Sequence, residues 1–221
     1  MAEPTPAADH KFYPAMATLI AVVVFAGFTP SFYARPSDVG PLALPALLHG
    51  VAGTLFVLTF AVQSWLVAVG RTRWHRQLGV AGGVLAAVFL TSGIGVTLYL
   101  EVEHIIEPRR MLIAHLWTNA APLAAFAVLV GVGLAQRRVP ARHKRLMLLA
   151  AVVLLPPATG RLFAPHDLAW LNLPVYACAA GANAVYDVIV RGKPHVLSSV
   201  PAVALIAIDI TTTVWLAAVG S

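Results

Sequence analysis

The sequence predicts an all-α fold, a polytopic membrane helix bundle with about seven spans around a four-helix core. Of the 221 residues, 59% are hydrophobic and 11% are charged, and the mean hydropathy is +0.82. A soluble domain carries about 25% charged residues, so this chain lacks the polar surface that covers a globule in water. At about 20 apolar residues per span, six or seven helices leave no separate soluble catalytic domain. The single cysteine, Cys178, excludes a disulfide framework and a cysteine metal cluster.

Seven apolar runs, each bounded by charged residues or proline, are the predicted spans. They lie at 15–32, 42–69, 78–100, 111–134, 146–163, 168–190 and 196–219. The first run contains Pro30 and the fifth contains Pro156 and Pro157. We expect kinks there, because neighbouring helices can satisfy the carbonyls that proline frees. The second and third runs are rich in glycine, which lets another helix or a flat cofactor approach the backbone closely.

These runs predict one transmembrane domain at 15–219, with its core helices at 42–163, preceded by a short cytoplasmic tail at 1–14. The tail is acidic and rich in proline where a cleavable signal would be basic. We therefore expect no cleaved signal at this end.

The distribution of lysine and arginine between the two sets of loops predicts the orientation. One side collects Lys11, Arg71, Arg73, Arg76, Arg137, Arg138, Arg142, Lys144, Arg145, Arg191 and Lys193. The other side has Arg35, Arg109, Arg110 and Arg161, diluted by acidic residues. The first side should be cytoplasmic, with the N-terminus, in what we expect to be a bacterial inner membrane. The pI near 10.0 then reflects topology, and no motif for nucleic acid is present.

Four histidines fall on the predicted core helices, where an unpaired imidazole is costly. His49 and His115 lie at a similar depth near the outer face, on the second and fourth helices. His75 and His143 lie at the inner starts of the third and fifth helices. Alternate helices of an antiparallel four-helix bundle are diagonal neighbours, so a haem between them can take one axial imidazole from each. The pattern therefore predicts two b haems, with Arg76, Arg142 and Arg145 among the basic residues that could pair with the inner propionates.

This arrangement of one histidine on each of four consecutive helices resembles the transmembrane di-haem cytochrome b family that includes the ascorbate-dependent ferrireductases. The resemblance implies that His49 and His115 ligate an outer haem, that His75 and His143 ligate an inner haem, and that electrons cross the membrane between them. The strings WHRQLG and RHKRLMLLA are also similar to an uncharacterised bacterial multi-spanning family with a His-Arg-x-x-Gly helix start. That similarity implies no activity.

Simpler roles for the histidines remain open. His75 and His143 lie in ordinary basic loops and could contact lipid phosphate. His49 and His115 could share a hydrogen bond that joins the second and fourth helices.

Three further polar features are candidate sites. Glu101, Glu103, His104 and Glu107 form an outer loop that could bind a metal ion weakly, although a solvated acidic loop explains it more simply. Asp209 lies within the last helix and is a candidate proton-handling group, paired with Asn119, Asn183 or Arg161 or serving as a helix contact. A local ion pair explains Asp187 and Arg191, which are one turn apart.

The leading functional hypothesis is a membrane b-type cytochrome, and hence a transmembrane oxidoreductase. It would move electrons from an inner donor, a quinol or a cytoplasmic reductant, to an outer acceptor, a metal ion or a partner redox protein. The first rival is a small helical transporter or proton path built around Asp209, His49 and His115. The second is a structural accessory subunit of a membrane complex, in which the histidines join helices. Membrane lipid is the surrounding partner in every case.

Overall fold

The computed structural model describes residues 7–103 and 109–220, except the side chains of 100–112, 114, 115, 219 and 220. Its helices are α1 (Asp9–Phe28), α2 (Leu44–Ala68), α3 (Thr72–Glu103), α4 (Arg109–Ala135), α5 (Pro140–Val152), α6 (Leu155–Phe163), α7 (Asn172–Arg191) and α8 (Val196–Gly220). Within the described residues, seven helical segments are long and apolar enough to cross a membrane. The predicted all-α polytopic bundle is confirmed, and the chain is an integral membrane protein.

The two expected kinks are present. Beyond α1 the helix continues as a π-helical turn at Thr29–Tyr33, which includes Pro30. The fifth span consists of α5 and α6, which meet at Val153 and Leu154 just before the two prolines. Proline lacks the amide hydrogen that would continue the helical pattern, so both irregularities have a local cause.

Three helices, α1, α3 and α5, begin six residues earlier than the apolar runs predict. The helices α3 and α5 begin at Thr72 and Pro140, so their basic first turns are helical. Pro140 suits a first turn, where a missing amide hydrogen costs nothing. The expected tail is helical from Asp9 onward, which corrects the predicted boundary at residue 15. Asp9 and Tyr13 are buried in the bundle, so tertiary contacts extend this helix beyond its apolar run.

The first five spans form a ring in chain order. Each of α2, α3 and α4 packs against its neighbours in sequence, and α1 closes the ring between α2 and the α5–α6 span. The pair α7 and α8 packs against α4 and α5. Among the described residues, α3 and α5 do not pack along their lengths, and neither do α2 and α4. The members of each pair are therefore separated by one intervening span in the ring.

One end of the bundle contains the turns that follow α2 and α4 and the loop between α7 and α8, which carries Lys193. The start of α5, with Lys144, and the end of α7, with Arg191, lie at the same end. We call this end the basic face. Gly70 and Gly192 end α2 and α7 there with a φ of 75°, a left-handed conformation that glycine adopts without steric cost. The amide of Gly192 donates to the carbonyl of Val188 at 2.9 Å, which satisfies the last turn of α7.

The helices α1 and α6 approach each other closely at a glycine. A Cβ added to Gly27 would lie 2.3 Å from the carbonyl oxygen of Ala158. The clash is with backbone, which cannot rotate away as a side chain can. Glycine at this position therefore sets the distance between α1 and the buried fifth span.

We expect Gly27→Ala to destabilise the protein by about 1–3 kcal/mol, because the two backbones must separate. Gly131→Ala is the matched control, since nothing lies within 4 Å of its added Cβ, and alanine favours helix by about 1 kcal/mol. Thermal unfolding of both variants in one detergent measures the difference. Equal melting temperatures would contradict the close approach.

Candidate functional site: paired histidines and a buried ion-pair cluster

His75 and His143 occupy equivalent places in two helical hairpins. Each lies in the first turn of the second helix of its hairpin, α3 or α5. The Nδ1 atom of His75 lies 3.3 Å from the carbonyl oxygen of Gln63 on α2, and that of His143 lies 2.8 Å from the carbonyl oxygen of Gly133 on α4. Each imidazole is therefore held by the last turns of the preceding helix.

These hydrogen bonds determine the tautomer of both rings. A carbonyl oxygen only accepts, so Nδ1 must carry a hydrogen in each histidine, and in the neutral form of the ring Nε2 then carries the lone pair. Neither Nε2 has a hydrogen-bond partner among the described residues. A neutral imidazole whose Nδ1–H is bound to a backbone carbonyl is the arrangement that prepares Nε2 to ligate a metal.

The spacing of the two rings fits an iron held between them. Their centroids lie 6.3 Å apart, with the ring planes at 78°. An imidazole nitrogen lies about 2.0 Å from a bound metal and roughly 1.2 Å from its own ring centre, so two imidazoles on opposite sides of one iron have centroids roughly 6 to 6.5 Å apart. The side chain of Gln63, beside His75, has a buried Oε1 atom without a hydrogen-bond partner. An unsatisfied polar atom at this place is consistent with a ligand that the chain alone does not supply.

The basic residues that the sequence assigned to propionates have different surroundings. Arg76 and Arg142 are exposed beside the histidine pair, and Arg142 donates to the Gln136 side chain at 3.2 Å. Arg145 is fully buried and its guanidinium is bonded to Asp187. The guanidinium of Arg145 therefore belongs to a buried ion pair, whereas the sequence analysis expected it beside an inner propionate.

The outer histidine on α2 lies in an apolar setting. The ring of His49 stacks on Phe89 at 4.4 Å between centroids, and its Nδ1 lies 3.3 Å from the Ser92 hydroxyl. It packs directly against the backbone of Gly93, where an added Cβ would lie 3.0 Å from the ring. The glycine on α3 thus makes room for the imidazole. The backbone of its predicted partner, His115, is in α4, and its side chain lies outside the described residues.

A cluster of three phenylalanines fills the core between the two histidine levels. Phe56, Phe89 and Phe126 come from α2, α3 and α4, and their centroids lie between 5.1 and 6.2 Å apart. Phe56 and Phe126 are fully buried. Along α2, 14 residues separate His49 from Gln63, which is about 21 Å at the helical rise of 1.5 Å per residue. The phenylalanines make this interval dry and densely packed.

A second polar site, which the sequence analysis did not predict, is a buried ion-pair cluster near the basic face. Its centre is Arg145 of α5 with Asp187 of α7, both 0% exposed. The guanidinium donates from Nε at 2.9 Å and from Nη2 at 2.5 Å to the two carboxylate oxygens. Asp187 also accepts from Arg191 at 2.8 Å and from the Ser198 hydroxyl of α8. The predicted pair of Asp187 and Arg191 is confirmed as one part of this larger cluster.

Asp9 brings α1 into the same cluster. Its carboxylate accepts from Lys144 of α5, from Arg191 at 3.2 Å and from the Tyr186 hydroxyl at 2.6 Å. Burial of a charge without a partner in an apolar medium costs several kcal/mol, and here each carboxylate has several donors. For Asp9, the signal that the sequence offers is an acidic residue at the start of a helix, where it complements the helix dipole.

Asp209 of α8 has the opposite environment from Asp187. Among the described residues, its Oδ2 atom is buried without a hydrogen-bond partner, and so is the Thr212 hydroxyl one turn later. The hydrogen bonds described for two of its expected partners, Asn183 and Arg161, go to other groups. Asn183 bonds with Tyr13 and with the carbonyl of Arg145, and Arg161 donates to the carbonyl of Pro157 at 2.7 Å.

The predicted weak metal site lies largely outside the described residues. His104 and Glu107 are not described, and Glu101 and Glu103 are described as backbone of α3 alone. In the rest of the chain, for which side chains are described, no group of three histidine, cysteine or acidic side chains could hold a metal ion by itself. A site built on His75 and His143 would therefore need ligands from a cofactor.

No protein-family model, curated protein or solved structure matches this chain.

Proposed function

We propose that this chain is a membrane b-type cytochrome with about two haems, which moves electrons between the two faces of the membrane. One observation carries the proposal. The ring centroids of His75 and His143 lie 6.3 Å apart, each Nδ1 is anchored to a backbone carbonyl, and neither Nε2 has a partner in the part of the chain that the structure describes. Contact with lipid phosphate requires neither this spacing nor this common tautomer.

His75 and His143 would hold the haem near the basic face, and His49 with His115 would hold the other. Bound haem supplies a one-electron couple between ferric and ferrous iron. The carbonyls of Gln63 and Gly133 would fix the orientation of the two imidazoles and leave Nε2 as the ligating atom. Arg76 and Arg142, both exposed at the basic face, would pair with propionates. Phe56, Phe89 and Phe126 exclude water from the interval between the two histidine levels.

The proposed direction depends on the sidedness of the basic face. A cytoplasmic basic face agrees with the charge bias that orients membrane proteins, and the setting would be a bacterial inner membrane. The donor would be a quinol or a cytoplasmic reductant, and the acceptor a metal ion or a redox protein on the other side. This function is that of the di-haem cytochrome b family, whose four-histidine pattern the chain resembles.

A second candidate function is a proton path or small helical transporter, and Asp209 favours it. An acidic group with a buried, unpartnered oxygen inside a membrane helix is usually functional. Asp209 lies on α8, which is not one of the five spans that form the ring of helices and carry the four histidines. The two functions are separated by whether the purified protein contains haem.

We expect the detergent-purified protein from haem-replete cells to show a b-type spectrum that dithionite reduces, with about two haems per chain. Visible spectroscopy and a haem assay measure this. A colourless preparation would refute the cytochrome proposal and favour the proton path.

We expect His75→Ala and His143→Ala to remove the same spectral component, because each leaves one haem with a single axial ligand. His49→Ala and His115→Ala should both remove the other component. His10→Ala is the matched control, since His10 is an exposed residue of α1. If His75→Ala and His143→Ala affect different components, the proposed pairing is wrong.

Single cysteines at positions 72, 139 and 102, in a Cys178→Ala background, test the sidedness. We expect an impermeant thiol reagent applied to intact cells to label position 102 alone, because Thr72 and Val139 lie in basic turns. Labelling of 72 and 139 with no labelling of 102 would invert the proposed direction. Labelling of 72 and 139 from opposite sides would contradict the fold itself.

A further inference from the structure

Three consecutive residues at the start of α5 contact three different parts of the bundle. His143 bonds to the carbonyl of Gly133 on α4, Lys144 pairs with Asp9 on α1, and Arg145 pairs with Asp187 on α7. Successive residues of a helix point about 100° apart, at 3.6 residues per turn. The first turn of α5 is therefore held from three directions, and rotation of the helix in either sense would break at least one contact.

The contact with α7 is the most strongly built of the three. Arg145 is 0% exposed, and it also donates to the carbonyl of Ala141 in its own helix. Its own carbonyl accepts from the Asn183 side chain at 3.3 Å. Both the side chain and the backbone of this residue are thus tied to α7, which restricts rotation and sliding of α5 together.

The contact with α1 acts on the same turn from another side. Asp9 accepts from Lys144 of α5 and from Arg191 and Tyr186 of α7. Tyr186 in turn stacks on Phe12 of α1, with 4.0 Å between the ring centroids and 7° between the planes. The start of α1 therefore joins α5 and α7 at one depth near the basic face.

Direct packing between α3 and α5 does not set the position of His143 relative to His75, because these two helices do not pack along their lengths in the described part of the chain. We propose that Asp9 and Asp187 are positioning residues that set the rotation and depth of α5 and so orient the imidazole of His143 against that of His75. This inference rests on the proposed haem site at these two histidines. It assigns the ion-pair cluster a role in the ligand geometry besides its role in holding the helices together.

The inference predicts an effect that is confined to one of the two haems. In the purified full-length protein, Asp187→Asn removes the charge that orients Arg145, and Asp9→Asn removes the charge that orients Lys144. We expect Asp187→Asn to lose at least half of the haem bound by His75 and His143 and to shift the ferric low-spin EPR signal of the remainder. This signal reports the angle between the ligand rings, which is 78° here. The haem at His49 should stay at its wild-type amount, and it serves as an internal control for folding.

Graded variants keep the inference testable if Asp187→Asn fails to fold. Asp9→Asn should give a smaller shift of the same EPR signal, because Lys144 is 20% exposed and water can solvate it. Asp187→Glu retains the charge and should recover most of the lost haem. Asp38→Asn is the matched control, since Asp38 is exposed in a short turn before α2.

The outcomes separate this inference from the proposed function. Wild-type protein without haem would refute the proposed function and this inference together. Wild-type protein with two haems, and an unchanged EPR signal and haem content in Asp9→Asn and Asp187→Asn, would refute this inference alone. An equal loss of both haems in Asp187→Asn would also refute it, because the cluster would then act through general stability.

Discussion

The hydrocarbon interior of a membrane contains no water to satisfy a polar group, and the polar side chains of this bundle are arranged under that constraint. Arg145 and Asp187 show it most directly, since both are 0% exposed and bonded to each other through two hydrogen bonds. Removal of one partner from such a pair typically costs about 3–5 kcal/mol, because the other charge is left buried. The helices α1, α5, α7 and α8 are therefore fixed to one another near the basic face.

The lack of water in the membrane interior also explains the hydrogen bonds of His75 and His143 in their helical hairpins. An imidazole in the first turn of a membrane helix must satisfy its N–H, and in both hairpins it does so on a carbonyl of the preceding helix. Gly133 is among the last four residues of α4, whose carbonyls lack a partner within the helix, so its carbonyl is a natural acceptor. Gln63 lies one turn further from the end of α2, and its carbonyl makes the equivalent contact with His75. The two hairpins thus place two imidazoles near each other, and Nε2 of each is without a partner among the described residues.

The two aspartates Asp187 and Asp209 have different hydrogen-bond environments. Asp187 has donors from Arg145, Arg191 and Ser198, whereas Asp209 has a buried oxygen that none of the described residues satisfies. Both lie in apolar helices, and the local sequence separates them in part, because Arg191 lies one turn after Asp187. The neighbouring helix adds a further difference, since α5 presents Arg145 to Asp187, whereas no basic side chain in the described part of the chain bonds to Asp209.

Composition and hydropathy by themselves determined the fold class and the number of spans, and the sites of the kinks followed from proline. These are properties of the chain in its solvent, since about 20 consecutive apolar residues have few alternatives to a spanning helix. The placement of His75 and His143 at equivalent helix starts was also visible, because basic loops mark those ends. Tertiary structure decided the partners of the polar groups. Asp9, which was expected in a tail, lies in the bundle and bonds to α7. Arg145, which was expected beside a propionate, bonds to Asp187. Such pairings join residues more than 40 positions apart in the chain, so they depend on the rotation of each helix within the bundle, which a pattern of hydropathy along one helix does not specify.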